Sequence, residues 1–293
     1  MVKVFKNEKG KRLVLNSYNH LLELWDTAFE EVELETRYGT THCIISGNPE
    51  SPPVLMFHGV GDNSAVMWVL NIKELSRHFY CIAVDTIGGP GKSVPNENYN
   101  KKSFDQAGWI NEVAELLKIK AFNIIGVSNG GYMAFNYAVN EGQRVNKVVC
   151  LEGGMLVKPF KAMLKTIMLL FPEILIPTQN NMRKIMKKLI SPDSDFFVRC
   201  PEVIDHLILV MKNHNQRAMF MHKLEKYNKE KAMLVKDKLY FLIGGYRVAD
   251  KKEFTDTLEA GRYQYKVIAR AGHGINHEQP ETVNNEIINF LLV

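Results

Sequence analysis

The run Phe122-Asn123-Ile124-Ile125-Gly126-Val127-Ser128-Asn129-Gly130-Gly131 decides how this sequence is read. It begins as an unbroken apolar stretch, passes through the pattern G-x-S-x-G, and continues into a helical spacing of Met133, Tyr137 and Ala138. Strand, tight turn and helix form the setting in which that five-residue pattern has steric meaning. The serine occupies a strained turn that aims its hydroxyl outward, and the flanking positions must be small for strand and helix to approach. Ser128 is therefore the candidate nucleophile.

Outward from this run, the same kind of apolar stretch recurs at 54–57, 79–84, 145–151, 239–243 and 265–269. Continuous apolar strands are what a parallel sheet buried on both faces requires. Helical patterns separate most of them. One carries Trp109, Ile110, Val113, Leu116 and Leu117, with Ser103 as its expected cap. Another runs from Pro280 to Leu292. The alternation predicts a doubly wound, mostly parallel α/β sheet. Before it come an expected amphipathic helix at about 17–28 and a hairpin, 29–36 and 41–46, turning at Tyr38-Gly39. The rhythm breaks between Leu151 and Leu239, where prolines punctuate a segment holding nine of the 13 methionines. That segment reads as a helical lid inserted between the sixth and seventh core strands. The expected division is a core of residues 1–152 and 236–293, with a lid at 153–235.

Composition narrows the classes. The chain has 293 residues, 46% hydrophobic and 24% charged, which are ordinary globular values and exclude disordered or fibrous readings. No apolar stretch approaches the about 18 residues of a membrane-spanning helix, so stable membrane insertion is not expected. The N-terminal MVKVFKNEKGKR lacks the apolar core of a secretory signal, which makes a cytoplasmic location the expectation. The four cysteines lie far apart with no CxxC pair, so they are expected as buried thiols. The net charge of +5 is uneven: 16 Lys and Arg against 8 Asp and Glu between 153 and 238 give +8 there and −3 elsewhere. A solvated helix face accounts for this, and no cluster of arginines with aromatics suggests nucleic acid.

A serine hydroxyl is a poor nucleophile unless a base lies within hydrogen-bond reach. His273 stands in the glycine-flanked loop Ala271-Gly272-His273-Gly274, directly after the last apolar run. His277, at the start of the last helix, reads as structural. The oxyanion of an acyl transfer needs preorganised donors. The amide of Asn129 would be one. The second would be that of Val60, in the loop His58-Gly59-Val60-Gly61 after the run at 54–57. Phosphate and dinucleotide loops are not supported: G-x-x-x-x-G-K-[ST] would need glycine where Thr86 stands, and G-x-G-x-x-G from Gly89 ends on Val94. No metal-ligand spacing appears, so no cofactor is expected.

Taken together, Phe57-His58-Gly59 with Trp68, the segment Asp85 to Ser93, Gly126 to Gly131, and Ala271-Gly272-His273 followed by Glu278-Gln279-Pro280 resemble the α/β-hydrolases, and more narrowly their small bacterial serine esterases. The resemblance runs from about residue 30 to the C-terminus, the lid excepted. It implies a carboxylesterase-like serine hydrolase working on a small-molecule ester, with Gly59 and Trp68 against the substrate. It also implies an acid behind the histidine. The usual place for that acid, three residues after Gly244, holds Arg247. Asp250 and Glu152 are then the candidates, or the acid is missing. The apolar lid suggests a hydrophobic or medium-chain acyl group. Carbon–carbon, lactone and amide hydrolysis and acyl transfer use the same Ser–His pair. Arg247 motivates a different class of reading, a catalytically weak ligand-binding protein. Asp85 is expected to order its glycine loop.

Overall fold

The computed structural model describes residues 2–246 and 251–293, apart from the side chains of residues 159–163 and 251. Nine strands form one sheet: β1 Phe29–Thr36, β2 Gly39–Ser46, β3 Pro53–Phe57, β4 Tyr80–Val84, the two-residue β5 Val94–Pro95, β6 Phe122–Val127, β7 Val145–Leu151, β8 Leu239–Gly244 and β9 Gln264–Ile268. Their order is β1-β2-β4-β3-β6-β7-β8-β9, with β5 paired to β2. The β1–β2 hairpin is antiparallel and joins β4 antiparallel; β4, β3, β6, β7, β8 and β9 run parallel. The fold expected from the apolar runs is the one observed.

Side chains of the central strands alternate between two apolar clusters, because successive residues point to opposite faces. Val54 and Met56 join Trp68, Ile72, Val283 and Ile287 on one face. Leu55 and Phe57 join Trp109, Val113, Met133 and Tyr137 on the other. Complete burial of such a side chain stabilises the fold by about 1.5–3 kcal/mol. The helices that supply the first face include α1 Glu8–Glu23, α2 Ser64–Trp68, α3 Ile72–Leu75 and α13 Pro280–Leu292. The second takes α4 Gln106–Leu116, α5 Asn129–Glu141 and α11 Lys251–Gly261.

Two boundaries differ from the sequence reading. The N-terminal helix begins nine residues earlier than expected, because Asn7 caps it by accepting from the Gly10 amide, 2.8 Å. Its polar first turns hid it from an apolar-period reading. Helix α4 is capped by Asp105, which accepts from Ala107 N, rather than by Ser103, whose hydroxyl donates to Asn98 O.

Between β7 and β8 lie α6 Pro159–Leu170, α7 Gln179–Leu189, α8 Phe196–Arg199, α9 Pro201–Asn213 and α10 Lys229–Leu234, with short 3-10 turns among them. This insertion is not loosely draped. Met182, Ile185, Met186, Phe196, Ile204 and Ile208 are buried in the same cluster as Trp68. By contrast, Leu164, Ile167, Met168 and Phe171 repeat at helical spacing along α6 and are all about half exposed or more. All four cysteines are free and buried. Among the described residues, no helix is long and apolar enough to cross a membrane.

Candidate active site

The parallel order sets the C-terminal ends of β3, β6, β7, β8 and β9 along one rim. Phe57 pairs with Gly126, Val127 with Leu151, Leu151 with Leu242, and Gly244 with Ile268. Each next segment therefore leaves the sheet beside its neighbour, where open α/β sheets place their ligands.

Ser128 leaves β6 at φ 54°, a conformation in which a non-glycine residue is strained, and α5 starts directly after it. The glycines around it have measurable causes. A Cβ on Gly126 would lie 2.1 Å from Gly130 O, and one on Gly130 2.2 Å from Phe57 O. The turn can exist only with bare backbone at both places. Helix α5 opens with Asn129, so its free N-terminal amides and the helix dipole face the serine's side of the turn. Among the described residues, neither Asn129 N nor Val60 N is committed to another acceptor.

Glu152 also stands at positive φ, 50°, at the end of β7. The next residue, Gly153, is pressed against the serine: a Cβ there would fall 2.1 Å from Ser128 O. The Glu152 side chain is almost wholly buried and its Oε1 accepts from Gly244 N at 2.6 Å. Its Oε2 lies 3.2 Å from His273 Nδ1, and His273 Nε2 lies 3.1 Å from Ser128 Oγ. A carboxylate only accepts, so Nδ1 carries the proton and Nε2 is left to accept from the serine hydroxyl. The structure thus brings Ser128, His273 and Glu152 into one hydrogen-bonded chain. Asp250 and Arg247 lie outside the described residues.

The histidine's loop is held from behind. Glu278 Oε1 accepts from Gly272 N and its Oε2 from Ser191 N, while His273 N donates to Leu189 O. These bonds tie the loop to the helical insertion. His277 is buried, stacked on Phe196 at 5.2 Å, with Nε2 donating to Val66 O at 3.0 Å. Burial pushes its pKa down to about 4, as suits a neutral packing residue.

The loop after β3 is fixed by His58. Its Nδ1 donates to Gly59 O at 2.8 Å, and its Nε2 accepts from Thr86 N at 2.9 Å. Gly59 is buried against the serine: a Cβ there would lie 3.4 Å from Ser128 Cβ. Val60 is 48% exposed at the mouth. Trp68, expected against the substrate, has no exposed surface, not even toward a cavity. It packs in the same core cluster as Val54, Met56 and Ile72, and its role is corrected to that of a core residue.

The glycine loop after β4 hangs on Asp85, which is completely buried. Its Oδ1 accepts from Ser64 N, and its Oδ2 from Tyr18 Oη, Lys92 N and His42 Nδ1. Burial alone would raise its pKa. The hydrogen bond and charge of His42 outweigh that and hold the carboxyl well below the usual range. Asp85 pins two loops at once and takes no part in the chain at Ser128. His42 and Asp62 were not singled out from sequence. Nothing marks His42 within a β-strand, and an acid in a loop normally reads as solvated.

A sequence description of the alpha/beta hydrolase fold matches residues 52–175. The chain has the α/β-hydrolase fold. The chain is 35% identical over 144 residues to an uncharacterized carboxylesterase, nap, of Bacillus subtilis, which is 49% of this chain and 47% of that protein. It is 33% identical over 145 residues to carboxylesterase YbfK of Bacillus subtilis, 50% of this chain and 48% of that protein. The chain so spans about half the length of the curated relatives it matches. The solved naproxen esterase of Bacillus subtilis superposes with a TM-score of 0.80 at 24% identity, covering 99% of this chain and all of that one. A putative hydrolase of the same organism gives 0.82 at 24% identity, over 97% of this chain and 100% of its own. These superpositions cover nearly the whole chain.

Proposed function

We propose that this protein is a serine carboxylesterase that cleaves a small ester with a hydrophobic or medium-chain acyl group. The observation that carries the reading is the continuous chain from Ser128 Oγ through His273 to the buried Glu152, built on a serine at positive φ. The names of the two Bacillus relatives, both carboxylesterases, support the class of bond.

In this reading Ser128 Oγ attacks the ester carbonyl carbon while its proton passes to His273 Nε2. The carbonyl π pair moves onto oxygen, and the amides of Val60 and Asn129 receive that oxyanion. The tetrahedral intermediate collapses, and the departing alkoxide takes the proton back from Nε2. Water then repeats the sequence on the acyl-enzyme, giving the acid and restoring Ser128. Glu152 fixes the tautomer and stabilises the imidazolium, a role its contact with the ring supports, while Asp250 lies outside the described residues. That contact supports the esterase reading over a catalytically weak binding protein, whose motive was Arg247 at the usual acid position. The half-exposed apolar face of α6 follows Glu152 closely in the chain and suits an acyl tail.

A fluorophosphonate label tests the proposal. Ser128 is expected to be modified stoichiometrically, with p-nitrophenyl butyrate or hexanoate turned over faster than the acetate. A folded protein whose Ser128 resists the label has no such activity.

A further inference from the structure

A second acid lies at the reacting serine. Asp62 is carried on the loop after β3, between residues held by several hydrogen bonds. Upstream, His58 clamps the backbone on both sides. Downstream, Asn63 Oδ1 accepts from Val66 N to cap α2, while Asn63 Nδ2 donates to Pro90 O and to His206 Nε2. A Cβ built on Gly59 would sit 3.2 Å from Asp62 Oδ2 and 3.4 Å from Ser128 Cβ, so about one methyl group separates the carboxyl from the serine. Asp62 Oδ1 is fully covered and has no hydrogen-bond partner.

We infer that Asp62 is a further catalytic residue of the proposed hydrolysis, a neutral carboxylic acid whose O–H meets the ester oxygen as negative charge grows on it. The inference rests on the esterase reading and deepens it. An ionised carboxylate at this place would need donors, and the covered oxygen has none. A neutral acid needs an acceptor, and acceptors are what an ester offers at its reacting centre. A carboxylic acid kept neutral by an apolar site is an established type of oxyanion donor. Here it would supplement the amides of Val60 and Asn129. Once ionised, the same group faces the oxyanion with like charge.

The surroundings favour the neutral form. Burial pushes the Asp62 carboxyl up to about 7, with His273 pulling partly the other way. Among the described residues, titratable groups around this loop include Glu152 behind His273, His58 on the same loop, His206 beside Asn63, and the ionised Asp85 that accepts from Ser64 N. Burial lowers His58, and lowers His206 to about 3, so both are neutral where the enzyme would work.

The experiment compares kcat/KM on p-nitrophenyl butyrate from pH 5.5 to 9 for the wild type, Asp62→Asn and Asp62→Ala, with fluorophosphonate labelling of each. The wild type is expected to lose roughly tenfold per pH unit above about 7. Asp62→Asn keeps a permanent N–H donor, so it should stay within about tenfold of wild type at pH 6 and run level from 7 to 9. Asp62→Ala should lose about 10²–10³-fold at pH 6, the usual cost of one oxyanion donor. The same alkaline fall in Asp62→Asn, or an Asp62→Ala enzyme equal to wild type at pH 6, overturns the assignment. A wild type that does not label at Ser128 sinks the esterase reading itself, a different result from normal labelling with indifferent Asp62 variants. Should Asp62→Ala fail to fold, the pH profile of Asp62→Asn still decides.

Discussion

Two of the histidine–carboxylate pairs in this molecule, His273–Glu152 and His42–Asp85, make an instructive contrast. His273 meets Glu152 through Nδ1 at 3.2 Å, with its side chain 36% exposed. His42 meets Asp85 through Nδ1 at 3.0 Å, with 3% and 0% exposure for the two side chains. The contacts at Nδ1 are nearly alike. The difference lies at the other nitrogen. His42 Nε2 faces a second carboxylate, Glu31, at 2.9 Å, so both ring nitrogens look at acceptors and the ring is best satisfied when doubly protonated. His273 Nε2 faces a hydroxyl. A ring held between two acids keeps its proton and serves as a pin. A ring with one acid behind it and an alcohol in front can accept a proton and return it. What separates structure from chemistry here is the partner of Nε2.

The largest expected effects break the reactive pair. Ser128→Ala and His273→Ala should each cut kcat on a p-nitrophenyl ester by up to about 10⁶-fold while leaving the folded structure intact, because the residues act as one unit. Circular dichroism and turnover measured on the same samples check both halves. Glu152→Gln comes next, at about 10⁴-fold, the cost of neutralising the acid in serine-protease triads. A Glu152→Gln enzyme with near wild-type kcat would remove Glu152 from the mechanism and redirect attention to Asp250. The pinned pair should respond in stability instead. Asp85→Asn keeps one oxygen that can accept from Ser64 N, but it puts an amide donor where Oδ2 accepted from Lys92 N and Tyr18 Oη, and it removes the negative charge that faces His42. Breaking a buried charged pair costs about 3–5 kcal/mol, a fall in Tm of roughly 10 °C for a chain of this size. Turnover measured well below that Tm should stay within about tenfold. Loss of activity without loss of stability would mean that Asp85 belongs with Glu152.

The sequence was most readable where sterics demanded particular residues. Gly126, Ser128 and Gly130 are legible because backbone atoms sit about 2 Å from where a Cβ would be. His273 was legible because a serine needs a base from a following strand end. The acid was not resolved, since spacing along the chain does not say whether the end of β7 or of β8 lies nearer the ring. Strand pairing of Val127 with Leu151 puts Glu152 beside Ser128, and pairing is a long-range fact. Trp68 was misplaced for a similar reason: its position in a motif does not reveal that the whole of α2 is buried. Asp62 carries no local signal, because the covering of its Oδ1 is a property of the folded chain. The buried methionines of the insertion were indistinguishable from ligand-facing ones until Met182 and Met186 were seen inside the core and Met168 outside it.

The smallest effect sharpens the comparison most, since it reads the charge on the pinned ring directly. Burial of His42 alone would lower its pKa, but the hydrogen bond and charge of Asp85, helped by Glu31, leave it raised above 6.5. The folded state then holds a proton that the unfolded chain gives up near pH 6.5. Stability from this group is fully present below that pH and is lost as pH rises through the raised value. Asp85 runs the other way: its lowered pKa gives stability above about 3.8, lost as pH falls. Asp62, raised to about 7, loses its share between about 3.8 and 7 as pH rises, which overlaps the onset of the His42 slope. Subtracting the Tm of His42→Gln from that of the wild type at each pH cancels the shared Asp62 contribution, provided the two sites are independent. The difference should be widest at pH 5–6 and shrink by a few degrees toward pH 9. A difference that does not change with pH would mean that the ring between Asp85 and Glu31 is neutral, and that its bond to Asp85 is of the same kind as the bond between His273 and Glu152.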